Sequence, residues 1–298
     1  MTTTLRLSNQ PRPLGKSDLS VSPLAWGMWR LAGNDVKATR RLIDAALAAG
    51  ITLFDTADIY GCDTPAGFGS AEALFGKALA EDRSLRDKMV IATKGGIRLG
   101  IPYDSGADYL AQALDASLSR MGVETVDLYQ VHRRDFLTHP REVAEALSAM
   151  VDAGKVRSIG VSNYSVAEFD ALQAFLAVPI VSIQPEFSPL RPDPLFDGTL
   201  DHAMQHDLAV LAWSPLGGGR LAGDHPAATL LAEQGAAFGV DGPTAALAWA
   251  MAHPVGIIPI VGSQNAARVA AAADAVKVEW TRAQWYAVLE AGMGTKLP

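Results

Sequence analysis

The chain has 298 residues, 49% of them hydrophobic and 19% charged, proportions that exclude a disordered or fibrous protein and leave room for a sizeable core. A formal net charge of −7 and a pI near 5.4 exclude a surface built for nucleic acid or anionic membrane. A single cysteine, Cys62, excludes an internal disulfide and any multi-cysteine metal cluster, and its position after Gly61 in an expected loop reads as incidental.

Short apolar stretches alternate with longer amphipathic ones from Leu24 to the C-terminal region, the pattern of successive βα units around a parallel sheet. Eight strands are predicted: Leu24 to Gly27, Ile51 to Asp55, Met89 to Thr93, Val126 to Val131, Ser158 to Val161, Val181 to Gln184, Ala209 to Trp213 and Gly256 to Ile260. Several are near-continuous apolar runs, as strands covered on both faces should be. Helices are expected over Val36 to Ala49, Ala107 to Met121 and Pro140 to Ala153, each stopped by the next glycine, and after Pro243 and Thr244. No linker, composition shift or repeat interrupts the alternation. The expected fold is therefore α/β, a single (β/α)8 barrel of the TIM type over residues 1–298. Leu5 to Val21 precedes the first barrel strand as a hairpin expected to cap the barrel bottom. No run of about 18 apolar residues occurs, and Met1 to Gln10 lacks the features of a signal segment, so the expected setting is cytoplasmic.

Barrels of this kind carry their reactive groups where strands end. Asp55, Lys94 and His132 stand at three successive strand ends, and Tyr60 follows Asp55 in the next loop. Each alone has an ordinary reading as a helix cap, a surface cation or a structural ring. Together they suggest acid catalysis at a carbonyl. An ammonium beside a phenol should bring its pKa down towards the working range, a carboxylate should hold that ammonium in place, and a histidine should orient the substrate oxygen.

The stretches FDTADIYG (Phe54 to Gly61), ATKGG (Ala92 to Gly96), LYQVHRRD (Leu128 to Asp135) and GKVRSIGVSNYS (Gly154 to Ser165) resemble, in order, the motifs of aldo-keto reductases. The resemblance continues through IQPEFSPL (Ile183 to Leu190), AWSPLGGGRL (Ala212 to Leu221) and IPIVGSQNAARV (Ile258 to Val269), and so covers nearly the whole chain. It implies a catalytic tetrad of Asp55, Tyr60, Lys94 and His132, and NADP(H)-dependent, reversible reduction of aldehydes or ketones with Tyr60 as general acid.

Ser162, Asn163 and Gln184 end later strands with groups that both donate and accept hydrogen bonds, as a carboxamide partner must. The resemblance assigns them to the nicotinamide amide and assigns Trp213 to stacking on its ring. Gly27, Met28 and Trp29 after the first strand, and Ser214, Pro215, Leu216, Gly217, Gly218 and Arg220 after the seventh, join the expected cofactor contacts. Gly262, Ser263 and Arg268 match the segment that holds the adenine end, with Arg268 as partner of a 2′-phosphate, so NADP(H) is expected ahead of NAD(H). The chain departs from the commoner family pattern at Gly262, where many relatives carry lysine, and at Ala271 and Ala272, where they carry a Glu-Asn pair.

Other chemistries find less support. A metal-dependent hydrolase would use a His-x-His pair at an early strand end, and none occurs; His202 and His206 could share a helix face, but DHAMQHD reads as a solvent-facing helix. Glycoside hydrolysis needs two carboxylates at strand ends, where Asp55 stands with Glu186 as a spare. A cofactor-binding regulatory subunit that keeps the tetrad is compatible with the sequence. The expected partner is a small carbonyl compound. Trp29 and Arg30, with the loops Cys62 to Gly69 and Arg98 to Ala107, are expected to shape its pocket, and the short tail Gly292 to Pro298 suggests an open site.

Overall fold

The computed structural model describes residues 4–298. Eight parallel strands close into a barrel: β1 (Ala25–Gly27), β2 (Leu53–Asp55), β3 (Val90–Gly95), β4 (Val126–Val131), β5 (Val156–Ser162), β6 (Ile180–Gln184), β7 (Ala209–Ala212) and β8 (Ile258–Val261). Every predicted strand is present, and β8 pairs with β1 through Ile260–Ala25 and Val261–Trp26 to complete the circle.

Helices follow the strands and cover the outside: α1 (Val36–Ala48), α2 (Ser70–Glu81), α3 (Ala107–Met121), α4 (Pro140–Asp152), α5 (Val166–Gln173) and α6 (Thr199–His206) after β1 to β6. Two helices, α7 (Pro226–Ala237) and α8 (Gly242–Met251), follow β7; α9 (Ala266–Ala271) follows β8, and α10 (Arg282–Met293) closes the chain. Their starts are written locally. Asp35 accepts from the Ala38 N–H ahead of α1, Ser165 and Glu168 form a reciprocal capping box on α5, and Asp241 accepts from the Thr244 N–H on α8. Trp285 of α10 stacks on Trp249 of α8 at 4.7 Å, and each indole N–H donates to the other residue's carbonyl, which locks the last helix onto the barrel.

Strand alternation divides the core in two. Along β1 and β2, Ala25 and Leu53 point into the barrel with Leu128, Leu211 and Ile258, whereas Trp26 and Phe54 point out under the helices. The same period turns Asp55 inward two residues after Leu53, and Lys94 inward two residues after Ala92. Leu14, Leu19 and Val21 belong to the inner cluster, so the N-terminal segment plugs the barrel floor as expected. The hairpin itself is shorter than predicted: Arg12–Pro13 pairs with Ser20–Val21, while Thr4–Leu5 pairs with Trp280–Thr281. Gly15 in its turn has φ +56°, and a Cβ there would lie 2.1 Å from the Val181 carbonyl oxygen, so only glycine lets the plug seat.

A polar network lies between β3 and the helices outside it. Glu72 of α2, fully buried, receives the Thr93 hydroxyl and the Arg120 guanidinium of α3. Asp58 is also buried, and neither of its carboxyl oxygens has a hydrogen-bond partner among the described residues. Burial, and then the Glu72 charge, push the Asp58 carboxyl up to about 8. The folded chain thus keeps a proton there that the unfolded chain, with an ordinary carboxyl near 3.9, has released. Stability at this position is present below the lower value and is lost as pH rises towards the higher one. Asp58→Asn should therefore gain stability over the parent between pH 5 and pH 8, by at most about 1.4 kcal/mol per pH unit. Urea unfolding across that range measures it; a constant difference would mean that Asp58 is already ionised in the folded chain.

Candidate active site

The inward turns of β2 and β3 bring a carboxylate and an ammonium together inside the barrel, where both are buried. Lys94, fully buried, donates from Nζ to Asp55 Oδ2 at 2.6 Å, to the Thr56 carbonyl at 2.8 Å and to Tyr60 Oη at 3.1 Å. An ammonium has three donors and no acceptor, so this set saturates it. Asp55 is held from its other oxygen by the amide nitrogens of Gln184 at 2.9 Å and Gln130 at 3.3 Å.

Because Lys94 can only donate, Tyr60 Oη accepts, and the phenol's own proton is left to point into the cleft. The Tyr60 ring is fixed by edge contacts with Trp29 at 5.0 Å and His132 at 5.9 Å. Burial opposes the Lys94 ammonium, but Asp55 and then Tyr60 outweigh it and hold its pKa above the ordinary lysine value. For Tyr60 the balance corrects the sequence expectation. Burial is the largest influence and raises the phenol above its ordinary value near 10, with Lys94 opposing it only in part. Tyr60 is therefore protonated at neutral pH.

His132 follows β4, its backbone N–H anchored on the Gly95 carbonyl at 2.8 Å. Burial first, then Lys94 and Arg133, push its imidazole well below its ordinary value of 6.5, so the ring is neutral. Nδ1 is the sealed nitrogen, without a partner among the described residues, which leaves Nε2 as the one that can serve the cleft.

The cleft has a volume of about 720 Å³ and opens at the C-terminal ends of the strands. Asp55, Tyr60 and His132 line its floor, with Gly27, Trp29, Arg30, Ser162, Asn163, Gln184 and Trp213 around them. It continues past Ser214, Pro215, Leu216 and Gly218 to Gly262, Ser263 and Arg268. Lys94 sits directly behind this surface. Three expected contacts lie off it. Met28 is fully buried in the outer core, Gly217 is buried against Leu190, and Arg220 turns back to donate to the Gly217 carbonyl at 3.0 Å. The loops Cys62 to Gly69 and Arg98 to Ala107 also lie outside the lining, the latter folded as a small pair of strands, Ile97–Arg98 with Ile101–Tyr103. Sequence reading missed Arg133, Asp241, Thr244 and Leu247 as lining residues. Arg133 adjoins His132, a usable signal; the others sit on α8 or its cap and reach the cleft only through folding.

The donor set fits a nicotinamide dinucleotide. Asn163 Nδ2 donates to Ser162 Oγ at 2.8 Å, and Trp213 Nε1 donates to Asn163 Oδ1 at 2.9 Å, which orients the indole beside the amide pair. Asn163 and Ser214 take left-handed backbone with φ 57° and 49°, a strained conformation for non-glycine residues that recurs at binding sites. At Gly218 and Gly219, with φ 70° and 97°, a Cβ would meet nothing within 4 Å, so the backbone lies open to an approaching phosphate. A larger depression of about 1170 Å³ at the opposite barrel end holds Arg86 and Arg157, which spend their charge on Asp127 at 2.9 and 3.0 Å. Among the described residues, no helix is long and apolar enough to cross a membrane.

A protein from Novosphingobium aromaticivorans described as 6-dehydroglucose reductase is 52% identical over 294 residues, covering 96% of this chain and 97% of that protein. A 6-dehydroglucose reductase from Agrobacterium fabrum is 37% identical, covering 94% and 97%. In fold, the chain is similar to the thermostable aldo-keto reductase Tm1743, crystallised with the inhibitor epalrestat. The TM-score is 0.81 at 24% identity, over 95% of this chain and 99% of that one. The sequence model of the aldo/keto reductase family matches residues 23–292. With these matches and its closed (β/α)8 barrel, the chain belongs to the aldo/keto reductase family of oxidoreductases.

Proposed function

We propose that this protein is an NADPH-dependent reductase of sugar aldehydes, converting a hexose that bears its aldehyde at C6 into the primary alcohol. The observation that carries the chemistry is the saturated Lys94 ammonium, whose third hydrogen bond, 3.1 Å to Tyr60 Oη, fixes the direction of the phenol proton. The relatives named 6-dehydroglucose reductase support the substrate class, as do the polar and aromatic groups around the cleft. Trp29, half-exposed beside Tyr60, offers an aromatic face to the apolar side of a pyranose. Arg30 and Arg133 line the same cleft and offer guanidinium donors to its hydroxyls.

NADPH, when bound, would supply the hydride for the aldehyde carbon. As negative charge develops on the oxygen, Tyr60 delivers its proton and is reprotonated from solvent, so the balance is one hydride and one proton for one alcohol. Lys94 stabilises the phenolate left behind, and Asp55 keeps Lys94 in place. Neutral His132 directs Nε2 at the substrate oxygen and orients it. Ser162, Asn163 and Gln184 would hold the nicotinamide amide, Trp213 its ring, Gly218 with its neighbours the pyrophosphate, and Arg268 the 2′-phosphate.

Purified protein should oxidise NADPH when given a hexose C6 aldehyde, and Tyr60→Phe should lower the turnover at least ~10²-fold while NADPH affinity is kept. Turnover by Tyr60→Phe within a few fold of the parent would remove Tyr60 as the acid.

The pH profile separates the two rings. With Tyr60 raised above 10 and His132 depressed well below 6.5, the chemical step should be flat through neutral and mildly alkaline pH and fall only above the ordinary phenol range. Lys94→Met removes the influence that lowers the phenol, so any alkaline limb should move further up while the plateau drops roughly 10²-fold. A limb near pH 6.5 in single-turnover rates would instead make His132 the titrating donor.

Arg268→Ala should weaken NADPH binding by about 1.5–3 kcal/mol, the worth of a hydrogen bond to a charged group, and leave NADH binding almost constant. Fluorescence titration with both nucleotides checks this; equal losses would mean that Arg268 does not read the 2′-phosphate.

A further inference from the structure

The sequence expectation for His202 and His206 was a solvent-facing pair, and the structure corrects it. His202 is 8% exposed, because α6 turns this residue against α5 rather than towards water. Its Nε2 lies 2.9 Å from Asp170 Oδ1 of α5, and Phe169 packs edge-on against the ring at 4.8 Å. His206, one turn later on the same face, brings its ring centroid to 4.3 Å from that of His202. One nitrogen from each histidine and one Asp170 oxygen all lie within 4.8 Å of one another, and among the described residues this is the one group of three such side chains that converges in this way.

We propose that Asp170, His202 and His206 form a binding site for a zinc-like divalent transition ion on the outer wall of the barrel. Two imidazoles and one carboxylate, with water in the fourth position, are a donor set that zinc accepts in tetrahedral geometry at bond lengths of about 2.0–2.2 Å. The nitrogen content selects against magnesium and calcium, which take oxygen ligands. Binding replaces the Asp170–His202 hydrogen bond: the ring proton moves from Nε2 to Nδ1 by exchange with solvent, so that His202 stays a neutral imidazole with its Nε2 lone pair turned to the ion, and Asp170 turns a carboxylate oxygen to it. Phe169, 2% exposed and in contact with both rings, limits their rotation, so two of the three ligands are already oriented. His206 ends α6, and helix ends in a barrel lie near the starts of the strands, so the site is remote from the cleft. Its effect is to clasp α5 to α6.

The rival explanation is that Asp170 and His202 make a helix-to-helix hydrogen bond and nothing more. That bond needs no His206, which gives the test. Untagged protein is titrated with zinc in competition with a chromophoric chelator, beside His206→Ala and Asp170→Asn. The parent should take up one ion at a micromolar dissociation constant, and each variant should bind at least about tenfold more weakly. Thermal melts supply the second readout: without metal the parent and His206→Ala should melt together, and saturating zinc, but not magnesium, should raise the midpoint of the parent alone. Equal zinc affinity in the parent and His206→Ala would overturn the proposal. So would an equal rise in midpoint with magnesium, or no uptake at micromolar zinc.

Discussion

A lysine ammonium sealed inside the barrel sets the terms for the residues around it. Moving such an ion from water into a low-dielectric interior costs several kcal/mol even after relaxation, and the cost is met only if every donor finds an acceptor. Lys94 meets this condition with one carboxylate oxygen, one backbone carbonyl and one phenol. Asp55 must then be inward and ionisable, the chain after β2 must turn so that the Thr56 carbonyl faces back, and Tyr60 must return to within 3.1 Å. Gln130 and Gln184, from strands β4 and β6, complete the hydrogen bonding of Asp55. Three of the other seven strands thus supply side chains to the satisfaction of the single charge that β3 carries.

This arrangement also accounts for the division of labour in the cleft. In water an ammonium beside a phenol would make it more acidic, but here the same burial that strengthens the Lys94–Asp55 pair disfavours the phenolate, and burial is the larger effect. The site holds Tyr60 protonated and places a cation beside its oxygen, where the proposed reaction would leave a phenolate. The same cation, with burial, holds His132 neutral. Two rings that could both give up a proton are thereby driven to different roles by one environment.

Stability and reactivity are separated along the barrel axis. At the floor, Leu14, Leu19 and Val21 pack under the inner apolar layer, and the close approach of Gly15 to Val181 lets them enter. At the other end the inner layer gives way to Asp55, Lys94 and Gln184, and the strained turns at Asn163 and Ser214 lie there. Away from the cleft, buried charge is held in paired form, Glu72 by Arg120 and Asp127 by Arg86 and Arg157.

The eight strands were legible in the sequence because apolar runs of strand length, separated by helices that begin at caps and stop at glycines, leave few alternatives to a parallel barrel. The gathering of Asp55, Lys94 and His132 with Tyr60 was legible because strand ends are where a barrel exposes chemistry, and local sequence fixes which residue ends a strand. The lining residues Asp241, Thr244 and Leu247 were not, since a helix more than fifty residues beyond β6 enters the cleft only once the barrel has closed. Met28 and Arg220 were assigned to the cleft by position, but side-chain direction decided otherwise, inward to the core for one and back onto its own loop for the other. The burial of His202 depended in the same way on how α6 rolls against α5, which the DHAMQHD segment does not encode by itself. Sequence alone determined which groups stand at which strand ends, because period and caps are local. Tertiary structure alone decided which of two opposing forces wins at each group, because desolvation depends on atoms brought together from distant parts of the chain.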